Sequence, residues 1–332
     1  MAHLNSFDSF KTKKSMMKKK QAKEKNKVLD FKDFIIDDNY NAIVVETKYD
    51  KAYVLYNDNI VSVSLRKDLN MVLNQVVFPG DKVIIENNVI VNLIKRGKVL
   101  SRIKKDQTRF NGGVDKIIAT NIDVAVIVVA ASTPVLHPKF IDRYLMILDN
   151  SDIDVIICLN KCDLKTDEDK LLEVYKKLGI KVIETSTTNN IGIEELKDLI
   201  RGKSSILIGN SGVGKSSITN AIMNIDSIKV GAVSDKTRRG CHTTTSSKYY
   251  IWDDNSSIID TPGIRSLDVS NFKKEEIQTY FKEIDNVKNN CKYKDCLHDT
   301  ELVKDCYVKQ NIGTIITKER YDSYLRILSN IK

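Results

Sequence analysis

From residue 40 to 95 the apolar positions fall in short β-rich runs. They are Ile43-Val44-Val45, Ala52 to Tyr56, Val61-Ser62-Val63-Ser64-Leu65, Val83-Ile84-Ile85 and Val89 to Ile94. The third alternates apolar and polar residues, as a half-buried strand does. Turn residues separate the runs at Asp58-Asn59, Pro79-Gly80-Asp81 and Asn87-Asn88, the pattern of strands joined by tight connections. Five such strands predict a small barrel, and an OB-fold is one five-stranded solution. A generic SH3-like barrel satisfies the same pattern.

From residue 115 the texture changes. Val124 to Ala131 is a continuous apolar run, the mark of a central parallel strand covered on both faces. Phe140 to Leu148 reads as a helix, Val155 to Leu159 as a strand, and a helix near 168–178 precedes the strand Lys181 to Glu184. A helix near 193–200, the strand Ser205 to Ile208, a helix from Gly214 and a strand at Ile258-Ile259 continue the alternation. Strands alternating with helices predict a doubly wound, mainly parallel sheet. Residues 273–332 read as helical around a cysteine cluster. The fold class expected is multidomain α/β: a disordered lysine-rich tail over 1–35, a barrel over 36–96, a basic linker over 97–114, an α/β domain over 115–270 and a helical domain over 271–332.

Composition refines this picture. At 332 residues, 42% hydrophobic and 29% charged, the chain is globular rather than disordered. Its longest apolar run, 8 residues from Val124 to Ala131, is far below the roughly 18–20 that span a bilayer. The first ten residues lack the basic-then-apolar order of a signal peptide, so a cytoplasmic protein with no membrane partner is expected. The net charge is +9, but residues 1–27 hold nine lysines against Asp8 and Glu24. Such an arm is a solvated end or a phosphate-seeking extension for nucleic acid. Residues 95–109 add Lys95, Arg96, Lys98, Arg102, Lys104, Lys105 and Arg109 against Asp106. That run reads as a solvated linker or as the rim of a groove tracking a nucleic-acid backbone.

The strongest motif is Gly209-Asn210-Ser211-Gly212-Val213-Gly214-Lys215-Ser216, a complete G-x-x-x-x-G-K-[ST] P-loop between an apolar strand and a helix. Its backbone N–H groups suit a diphosphate, Lys215 the β- and γ-phosphates, and the Ser216 hydroxyl a magnesium ion. Ser217 continues the helix beside them. Asp260-Thr261-Pro262-Gly263 follows a strand, where Asp260 can hold Mg²⁺ and the Gly263 N–H can reach a γ-phosphate.

Asn160-Lys161-Cys162-Asp163 sits at the end of the strand Val155 to Leu159. The Asp163 carboxylate suits the N1–H and exocyclic amine of guanine, a donor pair that adenine lacks, so GTP is the expected nucleotide. Asn160 would tie this loop to the P-loop, the Lys161 stem would cover the base, and Ser186-Thr187 suits a further backbone contact. Between the P-loop and Asp260, Arg238-Arg239-Gly240-Cys241-His242-Thr243-Thr244-Thr245 reads as a switch loop. Thr243 or Thr244 would complete the magnesium shell while a γ-phosphate is present. A glutamine directly after D-x-x-G orients the attacking water in Ras-like enzymes; Ile264 stands there and cannot. His242 is the nearest polar candidate in the switch loop.

The motifs appear in a permuted order. In ordinary small GTPases the P-loop comes first and N-K-x-D late, whereas here 160–163 precedes 209–216. After them come Cys291, Cys296, His298 and Cys306, three thiolates and an imidazole that suit one closed, structural tetrahedral Zn²⁺.

The permuted order, the barrel ahead of it and the Cys/His cluster behind it resemble the circularly permuted small-ribosomal-subunit biogenesis GTPases (RsgA, or YjeQ), over about residues 35–330. The resemblance implies an N-terminal OB-fold, a permuted GTPase domain and a C-terminal zinc-binding domain. It also implies rRNA contact and late action in small-subunit maturation, with GTP hydrolysis to GDP stimulated by that subunit; a monomer is expected. Two competing readings are a small-molecule kinase or ATPase, against which Asp163 argues, and a GTP-gated RNA-binding module whose hydrolysis is incidental.

Overall fold

A computed structural model describes residues 35–36, 39–48, 51–66, 76–102, 116–164, 171–223, 247–261, 269 and 272–331. The lysine-rich tail, Gly263, Ile264 and the whole switch loop with His242, Thr243 and Thr244 lie outside them.

The first sheet comprises β1 (Ile35–Ile36), β2 (Ala42–Lys48), β3 (Lys51–Tyr56), β4 (Asn59–Leu65), β5 (Lys82–Glu86) and β6 (Val89–Ile94). Strands β2 to β6 close in the order β2-β3-β4-β6-β5, with β5 returning to β2. The β4–β6 pairing is parallel and the other barrel pairings are antiparallel. This five-stranded, OB-like closure decides between the two barrels that the pattern left open. Asn57 and Asp58 carry φ of 47° and 60°, and Asn87 and Asn88 carry 49° and 61°, the paired left-handed conformations of two-residue hairpins. The first turn therefore sits one residue before the Asp58-Asn59 signal. Val44, Val54, Val63, Val83, Ile90 and Leu93 fill the barrel.

The expected boundaries at both ends of the barrel shift. Ile35, assigned to the tail, pairs with Leu93 in β1. The expected linker over 97–114 begins as a strand, β7 (Val99–Arg102), antiparallel to β8 (Lys116–Thr120). The physical reason is Leu100, an apolar residue inside a basic run, which is fully buried in the α/β core. Arg96 is likewise no free charge: its guanidinium grips both oxygens of the buried Asp81 at 2.8 Å. Asp81 also accepts the Phe78 N–H and the Thr120 hydroxyl, each at 2.8 Å. That satisfied carboxylate fixes the barrel to β8.

The second sheet has the order β11-β10-β9-β12-β14-β13. Its strands are β9 (Val124–Ala130), β10 (Asp154–Asn160), β11 (Lys181–Thr185), β12 (Ser204–Ile208), β13 (Lys248–Asp253) and β14 (Ser256–Asp260). All pairings are parallel except β13–β14. Every residue of β9 is buried, and its side chains alternate between two hydrophobic clusters on opposite faces. Helices Pro138–Asp149, Glu173–Lys177, Ile193–Ile200 and Lys215–Met223 cover the sheet. Glu173–Lys177 is shorter than the helix expected over 168–178, whose first part falls outside the described residues. The C-terminal segment has short helices and one longer one, Lys318–Leu328. Its Phe281, Ile284, Tyr324 and Ile327 join the cluster that contains Ile147 and Tyr175, so it shares a core with the sheet. Among the described residues no helix is long and apolar enough to cross a membrane.

Candidate nucleotide site and metal cluster

Parallel strands leave their carboxyl ends on one edge of the sheet, where ligands of open α/β folds bind. Asn160 ends β10, Thr185 ends β11, Ile208 ends β12 and Asp260 ends β14. Motifs scattered over a hundred residues of sequence thereby meet at one edge.

The P-loop turns on Gly209, Gly212 and Gly214, with φ of 148°, 84° and 100°. A Cβ at Gly214 would lie 2.2 Å from the Asn160 amide nitrogen, so glycine is required there by both space and conformation. That amide, in a side chain 1% exposed, donates to Val213 O at 2.9 Å. Asn160 thus ties the two loops together, as its position in N-K-x-D predicts. The Thr185 hydroxyl supports it from behind at 3.2 Å. Lys161 does more than present its stem. Its Nζ donates to Gly212 O at 2.8 Å and to Thr133 O at 2.6 Å. Asp163 stands exposed in the 3₁₀ turn Cys162–Leu164. Ser186 is buried, and its N–H donates to Ile191 O at 3.0 Å while its hydroxyl accepts from Asn189 N. Its own groups are committed within the turn, along which Thr187 follows.

Lys215 is 6% exposed, and its Nζ donates to Gly209 O and Asn210 O at 3.0 Å. Burial lowers its pKa while the Asp260 charge raises it. Asp260 shows the opposite shift: burial raises its pKa, against the Ser216 hydrogen bond and the Lys215 charge. The Ser216 hydroxyl donates to Asp260 Oδ2 at 2.8 Å, while Asp260 Oδ1 is buried with no partner among the described residues. An orphaned carboxylate oxygen beside a serine hydroxyl is a donor set that fits Mg²⁺. Thr261 anchors the same corner through Leu207 O at 2.7 Å.

The second cluster gathers Cys291, Cys296, His298 and Cys306, with ligand atoms all within 4.8 Å of one another. The three sulfurs lie 3.6, 3.2 and 3.4 Å from His298 Nδ1, and Cys291 and Cys306 Sγ are 4.0 Å apart. A tetrahedral zinc ion, with bonds of about 2.3 Å to sulfur and about 2.0 Å to nitrogen, sets S–N edges near ~3.5 Å and S–S edges near ~3.8 Å. The residues fit such an ion. Burial lowers the His298 pKa to about 4, so the ring is neutral at pH 7, as a metal ligand must be. Its Nε2 meets Gln278 Oε1 at 3.1 Å, the outer contact that fixes a ligating histidine's orientation. Neither Gln278 nor Thr133 carries a motif, and sequence reasoning passed over both.

Comparison with known proteins decides the family. A family model described as RsgA GTPase matches residues 93–270. The chain belongs to the RsgA GTPase family. It is 40% identical over 228 residues to the small ribosomal subunit biogenesis GTPase RsgA of Borrelia garinii subsp. bavariensis, covering 68% of this chain and 73% of that one. The Borreliella burgdorferi protein of the same name is 39% identical over 260 residues, 76% of this chain and 82% of that one. The crystal structure of YjeQ from Thermotoga maritima superposes with a TM-score of 0.65 at 27% identity, over 88% of this chain and 98% of that one. YloQ, described as a circularly permuted GTPase, shares the fold with a TM-score of 0.59 at 24% identity, over 87% and 94% of the two chains. The fold is therefore a permuted GTPase with an OB-like barrel ahead of it, and the protein, as an RsgA family member, is a GTPase.

Proposed function

We propose that this protein acts in the biogenesis of the small ribosomal subunit, binding the subunit and its rRNA in the cytoplasm as a monomer, hydrolysing GTP to GDP and phosphate, and dissociating afterwards. The observation that carries this reading is the union of the N-K-x-D loop and the P-loop through Asn160 and Val213, in a chain whose named relatives are small ribosomal subunit biogenesis GTPases.

In this reading Asp163 accepts the guanine donors, with Asn160, Lys161, Cys162, Ser186 and Thr187 around the base. Gly209 to Ser217 wrap the phosphates, and Lys215 balances charge on the β- and γ-phosphates. Ser216 and Asp260, with Thr243 or Thr244, hold Mg²⁺, which neutralises phosphate charge when bound. Gly263 contacts the γ-phosphate. The Cys291/Cys296/His298/Cys306 set holds one structural Zn²⁺. The test is phosphate release by the full chain with and without purified small subunits, under competition by ATP and GTP; release inhibited by ATP as well as by GTP would overturn the assignment.

Base choice gives a sharper check. Asp163→Asn is expected to weaken GTP binding by about 1–3 kcal/mol, the cost of an unpaired buried donor. It should favour xanthosine nucleotides, whose O2 carbonyl suits the new amide. Calorimetry with both nucleotides reads this directly, and unchanged GTP affinity would remove Asp163 from the site.

Water activation falls to His242, since Ile264 replaces the glutamine of Ras-like enzymes. His242→Ala should retain GTP binding and subunit docking while losing most subunit-stimulated turnover, about 10²-fold or more for a lost positioned acid–base group. Single-turnover hydrolysis on purified subunits is the measurement, and a wild-type rate would reject the role.

A further inference from the structure

The C-terminal helix Lys318–Leu328 begins with an N-cap, Thr317, whose hydroxyl accepts from Arg320 N at 3.3 Å. Arg320 itself is 2% exposed. Its Nε and Nη2 donate to the two oxygens of Glu283 at 2.6 and 3.1 Å, and its Nη1 donates to Asp142 Oδ1. Asp142 is 1% exposed and lies in helix Pro138–Asp149. Its Oδ1 also accepts the Tyr175 hydroxyl at 2.7 Å. The Phe281 ring lies 4.3 Å from the guanidinium carbon. One cation thus joins four elements, one of them 178 residues away in sequence.

The helix that holds Asp142 also supports the nucleotide edge. It follows directly on the segment 133–137, and Thr133 O is one end of the Lys161 bridge whose other end is Gly212 O. Pro134 Cδ lies 3.9 Å from where a Gly212 Cβ would sit. Asp142 is one helical turn from Pro138. Fixing Asp142 therefore fixes the segment that clasps the P-loop against the N-K-x-D loop.

We infer that Arg320 is a positioning residue for nucleotide retention: by pinning Asp142 from the C-terminal segment, it holds Thr133 where Lys161 can bridge it to Gly212. Arg320 touches no nucleotide. The inference rests on the nucleotide site proposed above. Arginine is needed because its planar fork serves two carboxylates at once, which an ammonium cannot do. Removing one member of such a buried set strands the charge of the others.

The test is release of fluorescent GDP from the full chain by stopped flow, with zinc content and Tm followed in parallel. Arg320→Met should speed release about tenfold and Glu283→Gln about threefold, within the couplings seen for contacting groups. Arg320→Lys should behave like Arg320→Met. In a Lys161→Ala background, where the bridge is already gone, Arg320→Met should add less than about twofold. Wild-type release from Arg320→Met and Glu283→Gln, with only a lowered Tm, would overturn the inference. So would a full tenfold effect in the Lys161→Ala background. Should Arg320→Met fail to fold, the shape-preserving Glu283→Gln decides on the same criterion. A wild-type chain that binds no GDP would instead remove the nucleotide site, and this inference with it.

Discussion

Lys215→Ala is expected to abolish GTP hydrolysis, lowering subunit-stimulated turnover by at least about 10²–10³-fold, the loss typical of removing one preorganised charge-stabilising group. The Lys215 ammonium lies inside the P-loop, 3.0 Å from two of its carbonyls, and burial already disfavours its charge. A group in that setting is fixed before phosphate arrives, so its interaction with developing negative charge costs little reorganisation. Ser216→Ala should produce a loss of the same order by a different route. It removes the hydroxyl that sits 2.8 Å from Asp260 Oδ2 and takes one ligand from the proposed magnesium site. GTP binding should survive better in Ser216→Ala than in Lys215→Ala, because the backbone cradle is untouched. Phosphate release on purified subunits checks both, and wild-type turnover in the two variants would defeat the P-loop reading.

Zinc removal is the second large effect. Stoichiometric zinc should co-purify, and Cys296→Ser should lower it and destabilise the C-terminal segment. Apparent binding energies of about 10–16 kcal/mol in small zinc peptides exceed what most domains retain as net stability. Here the cluster lies at the edge of the shared core, with Cys296, Cys306 and Val308 in the same hydrophobic cluster as Phe281 and Tyr324. Leu302 and Val303, beside Cys306, are 62% and 59% exposed, so the loop between His298 and Cys306 leans on the four ligands rather than on these two side chains. Cys296 and Cys306, 3% and 0% exposed, hold thiols that burial raises in pKa. Metal analysis of freshly purified protein, with thermal melts before and after chelation, reads the outcome. Zinc-free protein with an unchanged melt would refute the site.

What was legible in the chain was whatever is encoded locally. The P-loop, N-K-x-D and the Cys/His cluster each compress a site into a few residues, and β9 declared itself as an unbroken apolar run. The kind of barrel did not, because an OB-like closure depends on β4 pairing parallel with β6, a contact between strands separated by β5. Strand β13 escaped notice because all six of its residues are half-buried, leaving no alternation to read. Arg96 looked like part of a solvated charge run, and only its partner Asp81, 15 residues upstream, makes it structural. The same holds for Gln278, which reaches His298 across 20 residues.

The central claim is a GTP-dependent association with the small ribosomal subunit. Sedimentation of the full chain with purified subunits tests it most directly, comparing GDP with a non-hydrolysable GTP analogue. The account predicts that the protein travels with the small subunit in the analogue and stays at the top of the gradient in GDP. Equal sedimentation in both nucleotides, or no association with the small subunit in either, would contradict it.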